Sequence, residues 1–379
     1  MTDVANPEQM LFASTTQAFL DKEAPLTRVR DLHAADESYD PGWWQRAAEL
    51  GWASLLVPEE LGGGSVSGDG VADLALVAEQ VGRSVAPGPL HPVSVVLAGL
   101  VEAPEGHGDT IEALVAGELV ASWAVYEPGR PFDPTASATT ATQTASGYRI
   151  DGVKDRVEAG DRAGALLVTA NCDGTLRQFV VPADTAGVTV TPQRSLDMVK
   201  IYARVQFDGV EIGSDAVVGS AEQTPAIIER QRQVALILQC AELVGILDTV
   251  LGFTTQWLTD RHSFGRPLSS YQALKHRFAN DKMWFEAARA TTAGAVAAVA
   301  GRSPDAPKLV SIAKAYVAER TPVILQDCVQ LHGGIGVTWE HDLHLFLRRA
   351  ALYRAMFGSP EDHYRTVYEL SRKQEDVHA

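Results

Sequence analysis

Two short stretches of this sequence hold residue types suited to a phosphorylated aromatic ligand. The first is Arg261-His262-Ser263-Phe264-Gly265-Arg266-Pro267, with Gln272 just beyond it. Gly265 and Pro267 interrupt helical patterns on both sides, so this stretch is predicted to form a corner between two helices. At such a corner Arg261 presents a rigid five-donor fork to a pyrophosphate, and Phe264 covers an aromatic or apolar part of a ligand. A plain helix corner, with a solvent arginine and a core phenylalanine, fits the same residues. The second stretch is Gln330-Leu331-His332-Gly333-Gly334-Ile335-Gly336, running into Val337-Thr338-Trp339-Glu340-His341-Asp342. Adjacent glycines let a backbone approach a ligand closely and turn N–H donors toward it. Gln330 adds a donor and an acceptor for a neutral ring edge.

Other clusters suggest chemistry that their spacing does not support. Glu340, His341, Asp342 and His344 crowd together, and a helix would put His341 and His344 on one face. No HExxH unit or third ligand of zinc-like spacing accompanies them, so structural hydrogen bonding is expected and no metal. Arg348 and Arg349 suit a carboxylate or phosphate, and equally suit ordinary ion pairs. The glycine run at 62–70, GGGSVSGDG, lacks the Lys-Ser/Thr ending of a phosphate loop and is expected to be a mobile or tightly turning connection. Cys172, Cys240 and Cys328 stand far apart without a CxxC pair, which predicts free thiols.

Three composition regimes must position these residues. Residues 1–117 are helical in style, with Trp43, Trp44, Ala47 and Ala48 recurring at three and four positions. Residues 118–222 change to a period of two. There Ile201, Ala203, Val205 and Phe207 alternate with polar neighbours before an expected turn at Asp208-Gly209, and Asp173-Gly174 separates two further strands. Residues 223–379 return to long helical patterns, with Leu274, Phe278 and Phe285 on one stripe and Pro322 at an expected bend.

With 46% hydrophobic residues in 379, the chain can build a large core. A net charge of −16 disfavours nucleic acid and anionic lipid surfaces as partners. The N-terminal MTDVANPEQMLFAS lacks the basic flank and apolar run of a leader. No apolar run of roughly 20 residues, enough to span a bilayer, is expected. The chain therefore reads as cytoplasmic.

The helical, β, helical order and the two motifs together resemble the acyl-CoA dehydrogenase family over essentially the whole chain. The stretch from Arg261 to Pro267, with Gln272, looks like the family's R-x-x-F-G-x-P motif and downstream glutamine. The stretch from Gln330 to Gly336 resembles its glutamine and double-glycine cofactor segment. The resemblance implies an α+β fold with an N-terminal helical domain, a central β domain and a C-terminal four-helix bundle, assembled as a tetramer around FAD. It implies FAD contacts from Arg261, Phe264, Gln272, Gln330, Leu331, His332, Gly333 and Gly334, often across a subunit interface. The implied reaction oxidises an acyl-CoA to the 2,3-enoyl-CoA and passes electrons to an electron-transfer acceptor. Fatty acyl groups or bulky side chains of degraded steroids are the implied substrates.

That chemistry needs a carboxylate to take the α proton and preorganised donors at the thioester carbonyl. Here Gly358, in Met356-Phe357-Gly358-Ser359-Pro360, falls where one family base would stand, and Glu361 follows three positions later. The family's other base position, ten residues before a helix-packing glycine, is Ala235 if that glycine is Gly245, and the acids Glu229 and Glu242 lie to either side. Tyr126 takes the place of a threonine on the family's flavin strand. Val157 and Glu158 fall where a tryptophan-isoleucine-threonine/serine segment would meet the flavin, changing binding and redox tuning. No catalytic residue of this chain is assigned. The chain thus resembles the base-lacking member of a bacterial heterotetramer whose sister subunit supplies the carboxylate. A purely structural partner subunit without turnover is the alternative.

Overall fold

The computed structural model describes residues 6–378. Residues 1–5, the start of the stretch expected to carry no leader, lie outside them. Among the described residues, six α-helices precede the sheet: α1 (Pro7–Glu23), α2 (Leu26–Ala34), α3 (Pro41–Glu49), α4 (Gly70–Ser84), α5 (Leu90–Leu100) and α6 (Gly108–Val115). Asn6 and Gln9 close a capping box ahead of α1, and the Asp40 side chain accepts from the Gly42 N–H at the start of α3. The predicted spacing holds on α3, where Trp43, Trp44, Ala47 and Ala48 are all buried. The glycine run at 62–70 is a tight turn built on Asp73, whose Oδ2 accepts from the N–H groups of Val66 (2.7 Å) and Ser67 (2.9 Å).

The middle of the chain forms a mixed sheet of β1 (Ala121–Ala124), β2 (Thr140–Gln143), β3 (Gly147–Glu158), β4 (Ala165–Cys172), β5 (Thr175–Pro182), β6 (Val188–Gln193), β7 (Tyr202–Gly213) and β8 (Val217–Val218). The strand order is β6-β7-β3-β2-β4-β5-β8, with β1 parallel to β4. Asp173 and Gly174 close the β4–β5 hairpin with φ of 51° and 85°, the two left-handed residues of a type I′ turn. The expected turn at Asp208-Gly209 is instead a bulge inside β7: Ile150 pairs with Val210 and Gly152 with Phe207, so β7 carries one extra residue there. Asp151 Oδ1 holds that bulge by accepting from the Gly209 N–H at 2.8 Å. Ile150, Leu166, Val168, Phe179, Val205 and Phe207 fill the sheet's core.

The remaining chain is α7 (Thr224–Asp260), a two-stranded hairpin of β9 (His262–Ser263) and β10 (Arg266–Pro267), α8 (Gln272–Ala300), α9 (Ala306–His332), α10 (Leu343–Ala355) and α11 (Pro360–His378). Pro322 lies inside α9 without ending it. The expectation of no membrane-length apolar run needs correction. Among the described residues α7 has an 18-residue window apolar enough to cross a bilayer, but 89% of that window is buried inside the protein, as in a core helix.

The chain forms two compact units, one of residues up to Asp31, Ala75–Ala86 and Leu236 onward, the other of Leu32–Leu74 and Pro87–Ala235. Inside the first, α4 and α7 cross through a reciprocal pair of glycines. A Cβ on Gly82 would stand 2.0 Å from the Glu242 carbonyl oxygen, and one on Gly245 would stand 1.9 Å from that of Glu79. Each glycine therefore admits the other helix's backbone. Gly245→Ala should lower unfolding free energy by about 1–3 kcal/mol through overpacking. On the same helix Gly252, with open space around it, should gain about 0.5–1 kcal/mol on replacement by alanine. Chemical denaturation of both variants tests the crossing, and equal effects would refute it.

Candidate functional site

The hairpin between α7 and α8 makes its turn at Phe264 and Gly265, with φ of 51° and 80°. Left-handed backbone is natural for glycine and strained for an aromatic residue. Phe264 is nevertheless held out at the tip, 97% exposed, so it is not the core phenylalanine of a plain helix corner. The hairpin is braced from below: Tyr271 Oη donates to the Ser263 carbonyl at 2.7 Å, and the Arg266 guanidinium lies 3.9 Å from the centre of the Tyr271 ring. Arg261 and Gln272 flank it, both exposed.

The glycine-backed segment at the end of α9 is tied to this hairpin through Trp257, a residue that sequence reasoning missed. The Arg261 guanidinium lies 5.9 Å from the Trp257 ring centre, the indole stacks on His332 at 5.4 Å, and its Nε1 donates to the Leu331 carbonyl at 3.2 Å. A tryptophan one helical turn before Arg261 was the available signal. The Leu331 and His332 side chains are buried, and His332 Nδ1 is bonded to the Cys328 carbonyl at 2.8 Å. What these two can offer a ligand is backbone. Gln330, Gly333 and Gly334 are exposed, and an added Cβ on either glycine would meet nothing within 4 Å. His341 and His344 do not share a helix face as expected, because α10 begins only at Leu343. His341 Nδ1 instead accepts from the Leu343 N–H at 3.1 Å, and among the described residues no group of three or more ligating side chains is placed for a metal.

The positions considered for a base hold no free carboxylate. Phe357 and Gly358 both have positive φ, 58° and 96°, and a Cβ at 358 would stand 2.9 Å from His363 Nε2. That nitrogen is bonded to the Phe357 carbonyl at 2.9 Å, so the imidazole occupies the space a side chain at 358 would need. Glu361 is 63% exposed and accepts from Arg354 at 2.8 Å. Its carboxyl is held below the usual range by its own backbone N–H, the Ser359 hydroxyl and Arg354. Glu242 is buried against Arg349 at 3.0 Å, beside the α4–α7 crossing. Glu229 accepts from Arg232 at 2.7 Å and from Gln233 at 2.8 Å.

Below this face the bundle buries further charge. Lys314 Nζ donates to Gln239 Oε1 at 2.6 Å and to the Tyr353 carbonyl, and burial pushes the amine down to about 8. Asp281 is fully buried on α8. Burial, and then the charge of Asp327, push its carboxyl up to about 7 against the opposing pull of Arg277, which itself pairs with Asp327.

The sheet presents a different surface. Glu127 accepts from the N–H groups of Ala138 (2.8 Å) and Thr139 (2.9 Å) and from Lys154 (3.0 Å). Burial raises its carboxyl, but these donors outweigh burial and hold it at about 2. Tyr126 is buried between the Arg156 guanidinium, 4.5 Å from its ring centre, and Phe132 at 5.1 Å. Arg156 also donates to the carbonyls of Glu127 (3.2 Å) and Arg130 (3.0 Å). Glu158 turns inward to Lys200 and His91. The bundle face thus fits the pyrophosphate, adenosine and ring-edge contacts of FAD: an exposed guanidinium, an exposed aromatic, two amides and an open double glycine. The sheet segment does not fit a flavin ring, since a packed tyrosine, a guanidinium and an ion-paired carboxylate replace the aromatic and hydroxyl surface implied for it.

The model of the acyl-CoA dehydrogenase N-terminal domain matches residues 6–103, and that of the acyl-CoA dehydrogenase C-terminal domain matches residues 228–370. Acyl-CoA dehydrogenase IpdE2 of Mycolicibacterium smegmatis is 29% identical over 362 residues, spanning 95% of this chain and 97% of that protein. Among solved structures, a variant of the Tcur3481-Tcur3483 steroid ACAD is 25% identical with a TM-score of 0.88, covering 97% of this chain and 99% of its own. The ChsE4-ChsE5 complex of Mycobacterium tuberculosis has the same fold, with a TM-score of 0.86 at 23% identity and 98% of each chain covered.

Phe264→Asn puts a residue that tolerates left-handed backbone at the hairpin tip and should raise stability by about 0.5–1 kcal/mol while weakening flavin retention. A loss of both would show the phenylalanine to be structural. Asp281 binds a proton in the folded chain up to about pH 7 that it has already lost above about pH 4 when unfolded. Its contribution to stability therefore falls as pH rises from 4 to 7. Asp281→Asn should unfold at a higher temperature than the parent at pH 8 and show a smaller advantage at pH 5. A constant difference across that range would contradict the burial of its charge.

Proposed function

The chain belongs to the acyl-CoA dehydrogenase family, and on that premise we propose that it is the base-lacking subunit of a heteromeric, FAD-dependent acyl-CoA dehydrogenase. The reaction is α,β-dehydrogenation of an acyl-CoA to its 2,3-enoyl-CoA. The α10–α11 loop carries the reading, because it is folded around Gly358 and His363 with no room for an acid. A sister subunit supplies the carboxylate that takes the α proton. FAD, when bound, supplies the acceptor for the hydride that leaves the β carbon.

The residues of this chain then bind and orient. Arg261 would neutralise the pyrophosphate with its guanidinium fork, Gly333 and Gly334 would bring backbone against it, and Phe264 would cover the adenosine or ring edge. Gln272 and Gln330 would supply neutral amide bonds. The likeness to a steroid ACAD favours bulky, steroid-derived acyl-CoA substrates, and the likeness to a two-protein complex favours a heteromer. The three free cysteines fit a reducing cytoplasmic setting, and the electrons would leave to an electron-transfer acceptor.

Co-expression with candidate base-bearing sisters tests the proposal through FAD-to-chain stoichiometry and acyl-CoA-dependent bleaching of the flavin band. The expected result is one FAD per pair of chains, bleached by acyl-CoA only when the sister is present. Arg261→Ala should weaken FAD retention by about tenfold or more, as loss of a charge-assisted bond predicts. Full flavin loading and bleaching by this chain alone would reject the subunit reading. A stable, flavin-free and inert complex would leave the chain a structural partner.

A further inference from the structure

We infer that the sheet unit of this chain keeps its own flavin-ring position shut with a buried His91–Glu158–Lys200 network, leaving the chain to serve a flavin through its bundle face alone. This rests on the proposed function and on reading the segment around Val157 and Glu158 as the flavin-facing one, as the family resemblance implies. Four pieces of the second unit converge there. Glu158 ends β3 with Oε1 on Lys200 Nζ at 2.6 Å and Oε2 on His91 Nδ1 at 3.2 Å. His91, from α5, places its Nε2 3.2 Å from the carbonyl of Ala235, the family's alternative base position, on the part of α7 that belongs to this unit. The Lys200 loop is set by Asp197, whose Oδ1 accepts from the N–H groups of Val199 and Lys200, each at 2.9 Å.

The chemistry of this cluster is the opposite of a flavin slot. An isoalloxazine needs an open slot, with flat surface against the ring and unoccupied hydrogen-bonding groups at its edge. Here both Glu158 oxygens are occupied, and both His91 nitrogens lie within hydrogen-bond reach of an oxygen. His91 and Lys200 are 2% and 5% exposed, and the Glu158 side chain that joins them is 11% exposed. Burial alone would raise the Glu158 carboxyl, but the Lys200 and His91 charges hold it well below the usual range. A carboxylate held this way cannot turn out to admit a ring without leaving the Lys200 ammonium unpaired in the protein interior. Two residues before Glu158, Arg156 spends its guanidinium on the Tyr126 ring and two backbone carbonyls.

Two measurements on the full chain decide the matter. The first is acetylation by a water-soluble succinimidyl acetate, followed residue by residue with peptide mass spectrometry. Lys200 should react at least about twentyfold more slowly than Lys22, because a buried amine reacts only through local opening. Lys200 reacting within about threefold of Lys22 would mean an open slot and overturn the closure. The second compares FAD with ADP, which keeps the pyrophosphate and adenosine and lacks the ring. The two should bind within about threefold of each other, and FAD binding more than about thirtyfold tighter would show a ring site at work and overturn the closure. The failures are distinguishable. If neither nucleotide binds, or Arg261→Ala changes neither affinity, the bundle-face reading falls, while Lys200 reactivity still decides whether the sheet is closed.

Discussion

The crossing of α4 and α7 sets the register on which the rest of the bundle depends. With a glycine on each helix and the partner's carbonyl about 2 Å from where a Cβ would stand, neither helix can slide or rotate without a clash. That fixes Glu242 beside the crossing. Arg349 is then fixed on α10, because its guanidinium must neutralise Glu242 and also reaches the carbonyls of Val85 and Ala86 just past α4. Breaking such a buried pair from one side leaves a charge in the protein interior, so the placement of α10 and of the loop that follows it is tightly determined.

Four glutamates of this chain are spent on structure. Glu79 pairs with Arg83, Glu242 with Arg349, Glu127 with Lys154 and two N–H groups, and Glu158 with Lys200 and His91. A general base must be reachable and unneutralised; each of these is paired, and Glu79, Glu127 and Glu242 are buried. The two motifs, by contrast, leave exposed an arginine, two glutamines and an aromatic on a strained hairpin, the groups proposed to meet the flavin. Within the bundle the exposed groups are gathered by one tryptophan, which touches both motifs. Within the sheet unit the corresponding segment is filled.

Much of this was legible in the sequence where the cause is local. The α1 and α3 caps, the spacing of Trp43 to Ala48 and the Asp173-Gly174 hairpin each follow from a few neighbouring residues. Errors arose where a distant partner decides. Asp208-Gly209 has turn chemistry, yet Asp151 on the neighbouring strand accepts the Gly209 N–H and makes it a bulge. His341 and His344 have helical spacing, but the helix starts between them. The apolar length of α7 was hidden by Gln231, Gln239 and Glu242, polar residues buried against Gln178, Lys314 and Arg349 from remote parts of the chain. The cofactor face was visible as motifs, whereas Trp257 and the partners of Glu158 needed the fold. Gly358 was visible as a letter, but the His363 ring packed against it was not.

The loop at Phe357 and Gly358 bears on how such a protein can evolve. Restoring an acid at 358 by one codon change would put a side chain into left-handed backbone and against the His363 ring, while His363 is also what holds the Phe357 carbonyl. Backbone, imidazole and new carboxylate would have to change together, and each change alone is harmful. A single codon is therefore not an isolated variable here, since the glycine, its left-handed turn and the ring beside it form one unit.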